Sequence, residues 1–402
     1  MYVRHLSMRD FRSWRSLEVD LAAETTIFVG RNGFGKTNIL EALYYLTNLR
    51  SHRVSTDAPL VHHGAEAAVI AATVEHNGRE LTAELTVNAS GANKARINQS
   101  PARRPRELIG ILRSVMFAPE DLLLVRGDPS DRRRFVDEIV AQQGPLQVAA
   151  RADYDKVLRQ RTALLKTAGA AMRRGGSEAA SVISTLDVWD AQLADLGARI
   201  TAARIDVLAA LRPHVVAAYT AIAPHSRPAD LRYRPAAGPH LLPGPGSPAV
   251  VADIREHLLA GLAELRGKEI ERGVCLVGPH RDDIDVILGE QVAKGFASHG
   301  ESWSLALSLR LGSVELLRAD GIEPVIMLDD VFAELDTARR RQLVEFTASA
   351  HQLLITAAVA EDIPDGLGGR TLDIDIVTDD AGRSSRLITG DDRCDGQQQR
   401  DG

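Results

Sequence analysis

The sequence predicts an α/β fold in which mixed sheets with flanking helices form a head, and an inserted helical hairpin forms a second lobe. Three observations predict it. A glycine-rich loop lies between a strand and a helix at residues 30–37, an apolar strand ends in two acids at residues 323–330, and two long amphipathic stretches lie between them. Because nearly three hundred residues separate the loop from the acids, we expect strands from both ends of the chain to meet in one sheet.

The composition limits the kinds of protein that this chain can be. Of 402 residues, 45% are hydrophobic and 25% are charged, with a formal net charge of −6, which argues against a surface that coats nucleic acid everywhere but allows a local basic groove. Cys275 and Cys394 are the only cysteines, so one chain builds neither a disulfide framework nor a zinc cluster. We recognise no signal peptide and no apolar run of roughly 20 residues, and we expect a cytoplasmic protein without a membrane partner.

Residues 1–144 are predicted to form the N-terminal half of the head. Asn77-Gly78 between two apolar runs favours a tight hairpin, and Ser130 or Asp131 is the expected N-cap of a helix at residues 130–143. The strands are expected at residues 2–7, 17–21, 25–29, 67–75, 80–87 and 114–117.

Residues 145–249 are predicted to form the helical lobe. Apolar residues recur at steps of three and four in residues 146–172 and 178–211, which is typical of amphipathic helices. The turn at residues 173–177 makes them an antiparallel hairpin. Residues 224–248 are dense in proline and glycine, so we expect loop or irregular edge structure there.

Residues 250–380 are predicted to form the C-terminal half of the head, and residues 381–402 a disordered tail. The expected helices lie at residues 250–266, 301–319 and 337–350. The expected strands lie at residues 274–276, 283–288, 324–328 and 352–356.

The glycine-rich loop carries the sharpest functional signal. Residues 30–37 read GRNGFGKT, which fits the Walker A pattern at every fixed position and has the strand–loop–helix setting that the pattern requires. We therefore expect ATP and Mg²⁺ as cofactors, with Lys36 on the outer phosphates and Thr37 as a ligand of the metal. The remaining loop residues expected to contact the nucleotide are Gly30, Arg31, Asn32, Gly33, Phe34 and Gly35.

The apolar strand that ends in Asp329 and Asp330 has the Walker B arrangement. An acid at this point holds Mg²⁺, usually through water, and a second acid can orient the attacking water. We assign the metal to Asp329 and the water to Asp330, so Lys36, Asp329 and Asp330 are the candidate catalytic residues.

Ser298 and Gly300 open the helix that precedes the Walker B strand, and a helix start of this kind can bind an anion. The stretch resembles the signature motif of ABC-type ATPases, in which the signature of one subunit closes over the nucleotide of the other. Asp336 resembles the D-loop acid of the same class. Three departures stand beside the likeness: Glu301 replaces the usual glutamine, Asp330 replaces a common glutamate, and no Q-loop glutamine or switch histidine is found.

Several stretches together resemble the RecF family of bacterial SMC-like ATPases. They cover nearly the whole chain, and the most specific are MRDFRSW, PEDLLLVRG, RRRFVD, GPHRDD, SHGES and LDDVFAELD, which begin at residues 8, 119, 132, 278, 298 and 328. The resemblance implies an ABC/SMC-type head with a short helical lobe, an ATP-dependent homodimer, and slow DNA-stimulated hydrolysis. It also implies binding to duplex DNA beside single-stranded gaps, RecR and RecO as partners, and RecA loading in gap repair and SOS induction.

Two other classes stay open at this stage. An ABC-type ATPase subunit of a membrane transporter would share both Walker motifs, and a scaffold could use the ATP site structurally. The sequence does not identify the residues that contact DNA. Arginines are the candidates, although exposed helices also carry arginine for solubility: Arg151, Arg159 and Arg161 on the helical hairpin and Arg132, Arg133 and Arg134 before it.

Overall fold

The chain forms two compact units in the computed structural model, which describes residues 1–144, 147–236, 238, 242, 247–364, 366–380 and 382–388. The first unit contains residues 1–121, 221–224 and those from 306 onward, and the second contains residues 122–220 and 225–305. These limits differ from the boundaries after residues 144 and 249 that the sequence suggested.

The first unit contains an antiparallel sheet of six strands in the order β2-β1-β4-β5-β6-β7. Asn77 and Gly78 both have positive φ and join β4 to β5 as a two-residue hairpin with His76 opposite Arg79, as predicted. The strands are β1 (Tyr2–Phe11), β2 (Trp14–Asp20), β4 (Ala67–His76), β5 (Arg79–Asn88), β6 (Lys94–Ile97) and β7 (Ser100–Pro101).

The second sheet of this unit has the order β15-β14-β3-β13-β12-β8, and all its pairings except β14–β15 are parallel. Its strands are β3 (Thr25–Val29), β8 (Ser114–Phe117), β12 (Val325–Asp329), β13 (Leu353–Ala357), β14 (Arg370–Asp379) and β15 (Gly382–Leu387). Every residue of β8, β12 and β13 is buried, as expected of parallel strands covered on both faces.

The core of the first unit combines one face of the antiparallel sheet with the parallel sheet and α1 (Lys36–Asn48). Alternate residues of β4, such as Ile70 and Ala72, face the core, whereas their neighbours are partly exposed. Phe28 of β3 and Met327 of β12 belong to the same cluster. The core therefore positions the strand ends that flank the glycine-rich loop.

The second unit contains helices and a small sheet in the order β11-β10-β9. Its long helices pair in antiparallel register, because Arg161 meets Asp190 and Leu165 joins Leu186 in one cluster. The helices are α2 (Leu122–Arg126), α3 (Pro129–Gln143), α4 (Gln147–Arg174), α5 (Gly176–Ile222) and α6 (Val251–Arg272); the strands are β9 (Ala229–Arg234), β10 (Asp283–Leu288) and β11 (Gln291–Val292). Further along the chain lie α7 (His299–Ala319) and α8 (Thr337–Thr347).

Three sequence predictions of local structure were wrong. Residues 274–276 are not a strand, whereas the stretch at residues 224–248, expected to be loop or irregular edge structure, contains the edge strand β9. The N-cap of α3 is Asp128, with Asp131 as its capping-box partner. The expected disordered tail begins too early, because β15 pairs with β14; residues 389–402 lie outside the described residues.

Within the described residues one helix, α5, is long and apolar enough by length and composition to cross a membrane, with a mean hydropathy of 1.3 in a window that is 28% buried. A single helix of this kind is weak evidence, since core helices of soluble proteins pass the same test. The sequence suggested no span because no apolar run in it approaches roughly 20 residues.

A buried charge network joins three helices of the second unit. The Arg161 side chain is fully buried, and it donates to Asp190 Oδ1 at 2.5 Å and to Glu269 Oε2 at 2.7 Å. Arg266 also donates to Asp190. The network therefore ties α4, α5 and α6 together through groups that are costly to leave unpaired.

We expect Arg161→Ala to lower the free energy of unfolding by about 3–5 kcal/mol, because it leaves the buried Glu269 without its cation and Asp190 with Arg266 alone. Chemical denaturation followed by circular dichroism measures the loss. The matched control is Arg174→Ala on the same helix, whose exposed pair with Glu178 is worth at most about 1 kcal/mol. Equal losses in the two variants would contradict the structural role of the network.

Candidate nucleotide-binding site

The glycine-rich loop connects β3 to α1 and is closely packed on its protein side. Gly35 has a φ of 93°, in the left-handed region that favours glycine. A Cβ at Gly35 would lie 2.4 Å from Ser385 Oγ, and a Cβ at Gly30 would lie 2.6 Å from the Ile374 carbonyl oxygen. Both positions therefore require glycine, and the loop backbone can curl around an anion.

The start of α1 has the properties of an anion-binding helix terminus. Its N-cap, Gly35, offers no side-chain acceptor, and no acid lies in the first turn. The positive end of the helix dipole therefore faces the loop uncompensated. Trp14 Nε1 donates to the Gly35 carbonyl oxygen at 2.9 Å, and Asn38 Nδ2 donates to Ser13 Oγ at 2.8 Å, so the turn after β1 holds the loop in place.

Lys36 has a buried side chain that ends among oxygen atoms. Its Nζ lies 3.3 Å from Asn32 Oδ1, 3.5 Å from the Arg31 carbonyl oxygen and 4.0 Å from Asp330 Oδ2. These contacts are longer than good hydrogen bonds to an ammonium group. Phosphate oxygens can therefore replace them with a gain in hydrogen bonding.

Asp329 is the point where the two ends of the chain meet. Thr37 Oγ1 donates to Asp329 Oδ1 at 2.8 Å, and Thr356 Oγ1 donates to the same oxygen at 2.7 Å. β12 and β13 pair Asp329 with Thr356, and β3, which leads into the loop, pairs with β13 on its other side. The parallel sheet thus brings together Thr37 and Asp329, which are 292 residues apart.

The pKa of the Asp329 carboxyl is shifted well away from its ordinary value. Burial raises its pKa to about 6, with smaller contributions from the charges of Asp330 and Glu120, while the hydrogen bonds from Thr356 and Thr37 act in the opposite direction. The group is therefore mostly ionised at neutral pH and becomes neutral in mild acid.

The oxygen atoms at this point fit Mg²⁺. The Thr37 hydroxyl and the Asp329 carboxylate are hard ligands that converge beside the loop, and Mg²⁺ is commonly held by one or two protein oxygens with phosphates and waters. The described residues contain no group of three or more His, Cys, Asp and Glu that could hold a metal. Such a sparse protein ligand set is the one expected when the nucleotide supplies the other oxygens.

Asp330 follows the metal-site acid in an unusual backbone conformation. Its φ is 49°, a left-handed value that is uncommon outside glycine and often found at functional sites. Its backbone N–H donates to Thr356 Oγ1 at 3.0 Å, and its side chain is 34% exposed. The structure therefore presents this carboxylate toward solvent next to Lys36.

Thr356 is a site residue that the sequence reasoning missed. Its hydroxyl donates to Asp329 and accepts from the Asp330 backbone, so it orients both acids. Its position could have identified it from the sequence. Thr356 lies near the end of the strand that follows the Walker B strand, and the carboxyl ends of parallel strands lie at one edge of the sheet.

Asp336 is the N-cap of α8: its Oδ1 accepts from the Arg339 backbone N–H at 2.9 Å, and its Oδ2 pairs with the Arg339 guanidinium. The structure thus places this candidate cofactor residue at a helix cap. Its assignment to a nucleotide stays a prediction.

Ser298 and Gly300 lie at the start of α7, in the second unit. Ser298 Oγ accepts from the Glu301 N–H at 3.2 Å, and Glu301 Oε2 accepts from the Ser298 N–H at 2.8 Å. Glu301 is therefore the N3 partner of a reciprocal capping box, a position that glutamate and glutamine both fill. The Ser298 N–H and the paired Arg227 lower the pKa of Glu301, so its charge is compensated.

Most of the arginines proposed as DNA contacts are used within the second unit. Arg161 is fully buried in its ion pairs, and Arg132 donates through Nε and Nη2 to both oxygens of Asp283. Arg133 donates to the Asp282 carbonyl oxygen at 2.6 Å, and Arg151 pairs with Asp137 and Asp155. The GPHRDD stretch is therefore held by arginines of α3 through Asp282 and Asp283. Of the six candidate arginines, only Arg159 is exposed.

Comparison with known proteins supports these observations. A model of the RecF/RecN/SMC N terminal domain family matches residues 2–365. A DNA replication and repair protein RecF of Rhodococcus erythropolis is 57% identical over 396 residues, covering 96% of this chain and 97% of the relative.

Solved structures of RecF and of Smc head domains have a similar fold. A recombination mediator protein RecF, described as RecF-ATPrS in the RecFOR pathway, has a TM-score of 0.81 and 26% identity, and the match covers 92% of this chain and 95% of that one. An Smc head domain with an extended coiled coil from Pyrococcus furiosus, bound to the C-terminal domain of ScpA, has a TM-score of 0.51 and 14% identity with full coverage of both chains; this likeness concerns the fold alone.

The fold and the loop–acid site define the class as an ABC/SMC-type P-loop ATPase head, as the sequence predicted. Within that class the chain belongs to the RecF family of DNA replication and repair proteins, because a RecF relative matches more than half of its residues over nearly its full length.

We expect Asp329→Asn to stabilise the nucleotide-free protein in EDTA, and to do so more at pH 8 than at pH 5. The folded pKa of about 6 exceeds the ordinary value of 3.8, so the folded protein loses stability as pH rises through this window. Asparagine keeps the oxygen that accepts from both threonines and removes the charge. The advantage of the variant should grow by about 1 kcal/mol between the two pH values.

Thermal unfolding at both pH values measures this difference, with Asp320→Asn on the surface as the control. An advantage that is constant or smaller at pH 8 would contradict the burial of an ionised carboxylate at this site.

Proposed function

We propose that this protein is an ATP-dependent DNA-binding protein of replication and recombinational repair. It dimerises on ATP, binds duplex DNA next to single-stranded gaps, hydrolyses ATP slowly, and helps to load RecA with RecR and RecO in gap repair and SOS induction in the cytoplasm. The observation that carries the proposal is the contact between Thr37 and Asp329, because it completes a metal–nucleotide site in a chain 57% identical to a RecF protein.

Nucleotide binding uses the loop and the helix it opens. The loop N–H groups and the start of α1 surround the phosphates, and Lys36 exchanges its long contacts with Asn32 and Arg31 for phosphate oxygens. Thr37 and Asp329 hold Mg²⁺, which when bound neutralises charge on the outer phosphates. Thr356 keeps the Asp329 carboxylate in position through its 2.7 Å hydrogen bond.

Hydrolysis depends on Asp330. Its partly exposed carboxylate accepts a proton from the attacking water or orients that water, while the hydrogen bond from its N–H to Thr356 maintains the direction of the side chain. An aspartate reaches less far than the glutamate of faster ATPases of this class. Turnover is accordingly slow, which suits an ATP-dependent switch.

Dimerisation uses the start of α7. Ser298 and Gly300 of one protomer contact the nucleotide of the other, so that ATP joins the two copies. The capping box with Glu301 keeps the Ser298 backbone in a fixed conformation before the partner arrives. Asp336 follows the Walker B acids and lies at the same interface. The membrane-transporter alternative has no support from an observation of the site.

We expect Lys36→Ala to retain the fold and to weaken ATP binding about 10- to 100-fold, because charged hydrogen bonds to phosphate are lost. ATP-dependent dimers and binding to gapped DNA should be lost with it. Light scattering with ATP, with ADP and with gapped DNA measures both losses. Lys268→Ala, an exposed lysine of α6, is the control. If ATP changes neither dimer nor DNA binding in the parent protein, the proposed function is wrong.

We expect Asp330→Asn to slow ATP hydrolysis by about a hundredfold or more, as for a general base, while ATP still binds. The ATP-bound dimer should therefore live longer than in the parent. Single-turnover hydrolysis and the decay of the dimer after dilution measure the two effects. A variant that loses ATP affinity instead would assign Asp330 to binding.

A further inference from the structure

One edge of the antiparallel sheet carries a concentration of basic side chains outside the nucleotide site. We call it the basic edge and define it by Lys94, Arg96, Arg103, Arg104 and Arg106. Residues 93–107 contain these five basic residues and one acid, Glu107, whereas the whole chain has a net charge of −6. The local charge is therefore opposite to that of the whole protein.

The strand geometry directs these side chains outward. Along β6, Lys94 and Arg96 are exposed and Ala95 between them is buried in the core, as the two-residue period of a strand requires. β7 continues the sheet, with Pro101 opposite Arg96, and the Ala102 N–H donates to the Ala95 carbonyl oxygen at 2.9 Å. Arg103 and Arg104 follow directly and are exposed.

The hairpin that carries the basic edge is firmly held from behind. Asn93 Nδ2 donates to Asp57 Oδ2 at 2.8 Å and to the Tyr45 hydroxyl of α1 at 3.2 Å. Ile97 and Ala102 pack against the core of the first unit. The charges are thus presented on a fixed surface, which lowers the entropy cost of binding an extended ligand.

The charges of the basic edge are largely uncompensated. In the part of the chain that the structure describes, Lys94, Arg103, Arg104 and Arg106 make no ion pair, and Arg96 reaches Glu84 only at 3.6 Å. By contrast, Arg132, Arg151 and Arg161 of the second unit form ion pairs with aspartates. Free arginines on a rigid surface are the groups that bind phosphate.

We infer that the basic edge binds the phosphate backbone of duplex DNA; this inference rests on the proposed function and locates its DNA contact. Asn98 and Gln99 form the exposed tip between β6 and β7 and add amide donors, which commonly supplement arginine on phosphates. Residues 93–107 contain no aromatic side chain. Since single strands are usually bound by stacking on aromatic rings, the chemistry favours the duplex.

The test compares Arg103→Glu/Arg104→Glu with the parent by fluorescence anisotropy, on a labelled duplex and a labelled single strand, with ATP and Mg²⁺. We expect the Kd for the duplex to rise about 10- to 100-fold at low salt, and the slope of log affinity against log salt to fall by about 2. ATP binding and the circular dichroism spectrum should stay unchanged. Arg103→Gln/Arg104→Gln repeats the test if the charge reversal disturbs folding.

The matched control is Arg173→Glu/Arg174→Glu, which makes the same charge change at two adjacent exposed positions of α4. Unchanged duplex affinity in the basic-edge variants, or an equal loss in the control, overturns the inference. A loss confined to the single strand overturns the assignment to the duplex. If the parent protein itself fails to bind DNA with ATP, the proposed function fails instead, so the two failures are distinguishable.

Discussion

The hydrogen bonds to the Asp329 carboxylate are the constraint on which the site depends. One oxygen accepts from Thr37, which follows the glycine-rich loop, and from Thr356, which ends the neighbouring strand. These contacts require β3, β13 and β12 to be adjacent and parallel, so the first and last thirds of the chain must pack as one body. Both sheets and α1 share one core, and that core keeps the three strand ends in register.

The site concentrates groups that are unfavourable for stability. A carboxyl is buried with its pKa raised to about 6, a lysine side chain is buried without a short hydrogen bond, and Asp330 has a left-handed backbone. Each of these features raises the free energy of the folded protein. A nucleotide with its metal would relieve the first two, because phosphates satisfy Lys36 and a cation compensates Asp329. The same features therefore disfavour the empty site and favour the occupied one.

The two units use arginine in different ways. In the second unit, Arg161 and Arg204 are fully buried, and they cross-link helices through Asp190, Glu269 and Asp137. We expect the removal of such a residue to destabilise the unit rather than to remove a ligand contact. On the basic edge of the first unit, Arg96 lies 3.6 Å from Glu84, and Arg103, Arg104 and Arg106 make no ion pair within the described residues, so they are available to a ligand. Sequence clusters of arginine look alike in both places, and only the presence or absence of a nearby carboxylate distinguishes structural from binding arginines.

Local patterns predicted much of this protein. The bounds of β3, β8 and β10 coincide with the predicted ranges, because short apolar runs between turn residues are determined by neighbouring sequence. GRNGFGKT and the acid pair predicted the candidate site for the same reason, since each motif lies within one short segment. The tertiary structure alone decided which distant groups meet: Thr356 beside Asp329, the acids around Arg161, and the pairing of β15 with β14. These contacts depend on which strands and helices are adjacent, and adjacency is settled by the packing of the whole core rather than by any short segment.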